Sequence, residues 1–260
     1  MEPRELLIYY SMKYHGDWDK IYQSIQKREE FPNPKIVNDL VKDLTCNAIT
    51  IIDEDYPESL KRCHKSPFVI YYYGDISLAK DMSKIVGIVG ARNPSSYGIE
   101  QTIKFTKDIS KHAVVISGLA KGIDSIAHET AINNGGKTIA VLGTAINKCY
   151  PIDNIDLYNQ IKTNHLLISE YPPNSKMIND SFPLRNRIIS ALSVGLLITE
   201  AKTKSGTSIT AMHTLGMGKT ICCIPERVDV DSLCNQLIYQ GATIALSGND
   251  VLYELNVIKE

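Results

Sequence analysis

The sequence has no stretch approaching the ~20 consecutive apolar residues that a membrane-spanning helix requires. Its first residues, Met1-Glu2-Pro3-Arg4-Glu5, contain no basic region leading into a long apolar run, which argues against a signal peptide. Excess charge is missing too. The 28 Lys and Arg residues against 29 Asp and Glu leave a net charge of −1, so no global field draws the chain to DNA or to a membrane surface. A polyanion would have to be held by local clusters of cations. The six cysteines, at 46, 63, 149, 222, 223 and 234, show no metal-ligand spacing, and Cys222-Cys223 reads as a pair of small core residues in an apolar run. A reducing, cytoplasmic setting fits these absences. No internal repeat or low-complexity tract is visible.

What is present is an ordinary globular composition, 43% apolar and 22% charged, in a chain of 260 residues. That length buries a sizeable core and suggests one large domain with a small appendage. Residues 5–44 carry helical patterning, with Leu6, Leu7, Tyr10, Trp18, Ile21, Tyr22, Ile36 and Leu40 as its apolar positions and Pro32-Asn33-Pro34 as a break. A bridging region comes next, in which 49–52 and 68–74 read as strands. From Ile85 onward short apolar strands alternate with helices. Strands are predicted at 85–89, 113–116, 138–142, 166–169, 194–199, 220–224 and 243–246. Helices are predicted at 98–111, 123–134, 154–162, 186–193, 207–217, 232–240 and 249–256. Near-continuous apolar strands separated by helices imply an α/β fold, with a parallel sheet covered on both faces. Ligands of such sheets sit at the carboxyl ends of the strands.

That rule gathers scattered cations onto one edge. Arg92, Lys121, Lys148, Lys176 with Arg185, and Lys204 each follow a successive strand, with Asp124, Glu170 and Glu200 among them. Two motifs stand out on this edge. Ser117-Gly118-Leu119-Ala120-Lys121-Gly122-Ile123-Asp124 joins a strand to a helix. Phe182-Pro183 precedes Arg185-Asn186-Arg187-Ile188-Ile189, which puts two guanidinium groups around an amide at a predicted helix start. Gly90-Ala91-Arg92 and Ser205-Gly206-Thr207-Ser208 are further turns whose following helix N–H groups suit phosphate, although Ser96 and Ser205 also suit plain helix caps.

Other signatures fall away. The dinucleotide pattern G-x-G-x-x-G is not met by Gly87 and Gly90, and no acid ends the second strand. Gly216-Met217-Gly218-Lys219-Thr220 has His213 where a P-loop needs its first glycine. It also runs from helix to strand, so it reads as a helix C-cap. His128 shares a helix face with Asp124, and a hydrogen bond locking the loop to its helix explains the pair better than acid–base catalysis. Glu170 and Glu200 could form a hydrolytic or metal-binding pair, yet no nucleophile or His cluster accompanies them.

Read in order, the segments resemble the DNA-processing protein A family, DprA or Smf. The resemblance runs over about residues 50–246. It is carried by Tyr56-Pro57, Pro67 through Gly74, Ile88 through Arg92, Ser117 through Asp124 with Ala127-His128, and Thr138 through Gly143. It continues through Tyr150-Pro151, Ser169-Glu170, Phe182-Pro183 with Arg185 through Ile189, Glu200-Ala201, Ser205-Gly206 and Asn235 through Ile238. The chain departs from the family pattern at Thr144-Ala145, Pro225-Glu226 and Leu233-Cys234-Asn235. The resemblance implies a Rossmann-like, doubly wound, mostly parallel sheet over 45–260, preceded by a small SAM-like helical domain over 1–44. On this reading the winged-helix domain some members carry is not expected here. The resemblance further implies a non-enzymatic homodimer without a cofactor, which binds single-stranded DNA in a basic pocket, protects incoming strands in natural transformation and helps load the RecA recombinase.

On this reading Arg92, Lys121, Arg185 and Arg187 contact phosphates, and Phe182 stacks on a base. Gly90, Gly118, Gly122 and Gly206 let the strand lie against the backbone. Ser117, Lys148, Lys176, Asn186 and Ser205 complete the expected site. Arg187 is expected at a helix start, so that it and Arg92 clamp successive phosphates, with pairing to Glu170 or Glu200 as the competing structural explanation. Lys202 is expected to matter little, as a Lys in a solvated turn. Two rival readings remain at this point: a nucleotide or nucleoside-phosphate hydrolase using Glu170 or Glu200 as base, and a sensor of a small nucleotide.

Overall fold

The computed structural model describes residues 2–29, 32–176, 178 and 180–259. Three helices open the chain: α1 (Pro3–Lys13), α2 (Trp18–Gln26) and α3 (Pro34–Lys42). Asp17 and Asn33 start α2 and α3 by accepting the backbone N–H of Lys20 and Lys35, and Pro34 takes the first position of α3, where its missing N–H costs nothing. These helices are stitched to the segment around Phe68. Ile8 packs with Val69 and Tyr71, the Trp18 ring stacks on Phe68 at 5.3 Å, and its indole N–H donates to the Ser66 carbonyl at 2.8 Å.

The remaining elements are β1 (Asn47–Thr50), α4 (Glu58–Lys61), β2 (Val69–Gly74), β3 (Ile85–Val89), α5 (Ser96–Ile109), β4 (Val114–Ser117), α6 (Ile123–Asn133), β5 (Thr138–Leu142) and α7 (Ile155–Asn164). They continue as β6 (Leu166–Ser169), α8 (Ser181–Leu192), β7 (Gly195–Ile198), α9 (Gly206–Gly216), β8 (Ile221–Cys223), α10 (Leu233–Tyr239), β9 (Thr243–Ile244) and α11 (Gly248–Glu254). Among the described residues one nine-stranded sheet runs in the order β1-β2-β6-β5-β4-β3-β7-β8-β9. The pairings from β6 to β9 are parallel; β1 and β2 add an antiparallel margin. This is the Rossmann-like, mostly parallel α/β architecture expected from the sequence.

The two-residue period of a strand sorts the core. Ile85 and Val89 of β3 face Ile188, Ile189 and Leu192 of α8, whereas Val86 and Ile88 face Phe105 and Ile109 of α5 and Ala127 of α6. From β3 the chain winds outward through β4, β5 and β6. It then returns along α8 to lay β7 on the other flank of β3. Connections therefore leave β3 and β7 in opposite directions and open a crevice outside their carboxyl ends.

One boundary differs from the sequence expectation in a way that matters. α8 begins at Ser181, not at 186, because Phe182-Pro183 is helical: a proline in the first turn gives up only an N–H that had no intrahelical partner. Arg185 and Arg187 consequently lie inside the helix and not at its start.

Candidate nucleic-acid interface

The crevice at the switch point is a cleft of 830 Å³. Gly90, Ala91, Arg92, Asn93 and Ser95 of the β3–α5 loop form one wall, and Lys202, Lys204, Ser205, Gly206 and Thr207 of the β7–α9 loop form the other. Phe182, Pro183, Arg185 and Asn186 of α8 close one side, and Glu226, Val230 and Asp231 rim the far end. The walls are held together by the Ala91 N–H donating to the Glu200 carbonyl at 2.7 Å and by the Thr207 hydroxyl donating to the Gly90 carbonyl at 3.1 Å.

The two arginines of α8 part company. Arg185 lines the cleft from a buried position. Its guanidinium donates to the Gly118 and Val141 carbonyls and to the Asn186 side chain, and burial lowers its pKa to about 10. Arg187 is 0% exposed. It meets both oxygens of the Glu170 carboxylate at 2.8 Å and donates to the carbonyls of His64, Lys65 and Leu184. The expected phosphate contact by Arg187 is thus overturned. A guanidinium two positions from Arg185 on a helix points some 200° away around the axis, and here that direction is the core. The competing explanation, a structural pair with Glu170, is what the side chain does.

The Ser117–Asp124 motif is also built inward. The Ser117 hydroxyl donates to the Ile88 carbonyl at 2.6 Å and is buried, so it is not available to a ligand. A Cβ on Gly118 would collide with the Arg185 guanidinium, and one on Gly122, where φ is +79°, would collide with the Ala91 carbonyl. Both glycines therefore admit this protein's own groups, not a strand of DNA. Asp124 accepts from the Gly118 and Ala120 N–H groups at 3.1 and 3.4 Å and so locks the loop to α6. His128 takes no part in that lock: its Nδ1 meets the Thr138 hydroxyl at 2.6 Å, and burial pushes its pKa down to about 3, leaving a neutral core imidazole.

Glu170 and Glu200 do not act as a pair. Glu170 is held by Arg187, while the Glu200 carboxylate accepts from the Ser95 N–H and hydroxyl at the start of α5. Among the described residues no three His, Cys, Asp or Glu side chains gather as a metal site would require. Gly218, with φ of +68°, follows the end of α9, and Lys219 donates to the carbonyls of Ser190, Ala191 and Ser193 at the end of α8. That segment stops both helices, in keeping with the C-cap reading.

Of the expected site residues, the cleft brings together Gly90, Arg92, Phe182, Arg185, Asn186, Ser205 and Gly206. Lys148 and Lys176 are exposed at the β5 and β6 exits outside its lining, and Lys121 pairs there with Asp153. Sequence reasoning set Lys202 aside, but it lines the cleft with Lys204, and both are exposed. The available signal was their place between the end of β7 and the start of α9. Glu226, one of the departures from the family pattern, puts an acid at the rim. Ser232 donates to its carboxylate at 2.8 Å and burial raises its pKa.

Known proteins share both the sequence pattern and the fold. The family model for the DNA recombination-mediator protein A matches residues 47–256. The DNA processing protein DprA of Streptococcus pneumoniae is 39% identical over 210 residues, covering 80% of this chain and 73% of that protein. The Bacillus subtilis DprA is 38% identical, covering 80% and 71%. Among solved structures, the S. pneumoniae DprA superposes with a TM-score of 0.79 at 33% identity over 96% of this chain and 93% of that one. The Helicobacter pylori DNA processing protein A, a structure concerned with its single-stranded DNA binding mode, gives 0.74 at 29% identity, covering 82% and 97%.

Proposed function

The chain belongs to the DNA recombination-mediator protein A family, and from that membership we propose that it binds single-stranded DNA in the β3–β7 cleft. The observation that carries this reading is the arrangement of Arg92 against Lys202 and Lys204. Three exposed cations on two facing loops have no ion-pair partner among the described residues, and they stand over the buried guanidinium of Arg185. Phosphates take the cations and the N–H groups opening α9, where the helix dipole favours negative charge. Ser205 leaves those groups free of a side-chain cap, because its hydroxyl donates to the Lys202 carbonyl at 2.7 Å. Bases turn toward Phe182. The acids Glu226 and Asp231 at the rim set a limit to the basic track and bias it toward a single strand over a duplex.

Contacts made largely to phosphate give little sequence preference and a strong salt dependence, with a log–log slope of about −0.7 for each phosphate neutralised on a single strand. Titration of a labelled oligonucleotide across a salt series tests this. Affinity that stays flat with salt sinks the cleft reading, and tighter binding to duplex removes its single-strand character. Nucleotide turnover, followed in the same preparation, would favour the hydrolase alternative.

We further read the protein as a homodimer that shields incoming strands in transformation and passes them to the RecA recombinase, non-enzymatically. Light scattering reports the dimer, nuclease protection the shielding, and the lag before RecA filament growth the loading. A lag that the protein does not shorten would remove RecA from the proposal.

A further inference from the structure

An aromatic surface continues from the cleft in the direction of the β5 exit. Phe182 lines the cleft, and its ring lies on Gly143, where a Cβ would come within 2.6 Å of it. Tyr150 packs beside Phe182 with ring centroids 5.4 Å apart and planes at 46°. Unlike Phe182, Tyr150 is 50% exposed, and its hydroxyl makes no hydrogen bond among the described residues. Ile152, two residues on, is 68% exposed. An exposed ring packed on the cleft's own phenylalanine extends the apolar wall of the cleft onto the surface.

The exposure does not come from a slack loop. The Thr144 hydroxyl donates to the Lys148 carbonyl at 2.7 Å, the Tyr158 hydroxyl to the Ile146 carbonyl at 2.7 Å, and the Asn154 amide to the Leu119 carbonyl at 3.0 Å. Asn147 and Asn174 exchange two hydrogen bonds, at 2.8 and 2.9 Å, tying this loop to the one after β6. The tyrosine is thus presented by a fixed frame. That frame also carries cations: Lys148 is exposed beside Asn147, and Lys176 is exposed two residues beyond Asn174. Flat π faces flanked by lysines match an unpaired nucleic acid strand, whose bases stack while its phosphates seek positive charge.

We propose that Tyr150, beside Phe182, is a base-stacking shelf that carries single-stranded DNA out of the cleft toward Lys148 and Lys176. The proposal rests on the cleft reading above and extends it: the site is longer than the cleft, and the lysines outside the cleft lining follow the backbone of the same strand. Ile152 widens the apolar face on which the emerging base lies.

The test compares oligothymidines of about 5 and about 15 nucleotides, short enough to stay in the cleft and long enough to cross the shelf. Tyr150→Ala weakens the long one about tenfold, as expected for one lost stacked base, and leaves the short one unchanged. Tyr150→Phe restores the long-strand affinity, because the ring and not the hydroxyl does the stacking. A 2-aminopurine scanned along the long strand is quenched at one flanking position by the wild type and not by Tyr150→Ala. Unchanged long-strand affinity in Tyr150→Ala, with Arg92→Ala still weakening both lengths, overturns the shelf and leaves the cleft standing. Equal weakening of both lengths by Tyr150→Ala also overturns it, since Tyr150 would then merely buttress Phe182. Failure of Arg92→Ala to weaken the short strand, while Tyr150→Ala weakens the long one, removes the cleft and keeps the shelf. Melting curves of each variant show that the fold is intact.

Discussion

Two loops, at the ends of the strands that flank β3 on either side, look alike in the sequence and do opposite work. The β4–α6 loop, Gly118 to Gly122, is filled by the protein itself. Arg185 lies across its first glycine, the Ala91 carbonyl lies against its last, and Asp124 takes up two of its N–H groups. The β7–α9 loop, Lys202 to Ser205, is open, as is the first residue of α9, Gly206. A Cβ on Gly206 would meet nothing within 4 Å, and Lys202 and Lys204 stand free in the cleft wall. Glycine permits close approach, but by what is decided by the neighbours. A glycine-rich turn before a helix therefore marks crowding as readily as it marks a ligand.

The largest expected effect is at Arg187, the α8 guanidinium that turns away from both loops into the core. Arg187→Ala leaves the Glu170 carboxylate buried and unpaired, which costs about 3–5 kcal/mol and lowers the melting temperature by about 10 °C. The double variant Arg187→Ala, Glu170→Gln removes the stranded charge and recovers part of that loss. A single variant that melts with the wild type but no longer binds DNA would return Arg187 to the ligand. Gly122→Ala comes next. Its φ of +79° disfavours any side chain, and the added Cβ meets a backbone carbonyl that cannot swing away. A destabilisation of about 2–3 kcal/mol is expected by thermal denaturation.

On the open side the effects move from stability to binding. Arg92→Ala, or Lys202→Ala with Lys204→Ala, weakens single-stranded DNA by about 1–3 kcal/mol and makes the salt slope shallower by about 0.7 for each phosphate no longer neutralised. Melting temperatures stay put, because these side chains are exposed and hold nothing else in place. Equal loss of stability would mean that the open loop is as structural as the filled one.

The sequence made the fold legible because every strand from Ile85 onward is an apolar run closed by a helix, and a parallel sheet covered on both faces has few other ways to look. It also made the location legible, since cations placed after successive strands must share an edge. It could not say which cation turns inward. Arg185 and Arg187 are the same residue type within one motif, and their fates separate on two facts the chain does not advertise: α8 starts five residues early, and Glu170 waits at the end of β6. Lys202 failed in the other direction. A solvated turn and a cleft wall have the same composition, and the difference lies in β3 standing beside β7, a pairing of residues more than a hundred positions apart.

The smallest expected effect is the one that compares the two loops most directly. Gly206→Ala adds a Cβ to the first residue of α9, in a backbone conformation that carries no positive φ and with open space around it. Alanine also restricts the unfolded chain, so the variant melts within about 0.5 kcal/mol of the wild type or slightly above it. The space the new methyl enters belongs to the cleft, beside the N–H groups that open α9. Binding of single-stranded DNA should fall by about 0.5 kcal/mol or less, a change that a competition titration against the wild type resolves. Stability lost to the extent expected for Gly122→Ala would show that the β7–α9 loop is packed as tightly as the β4–α6 loop, and the contrast between them would be gone. Affinity that is wholly unmoved would mean that the strand keeps clear of this backbone, leaving the lysines to hold it alone.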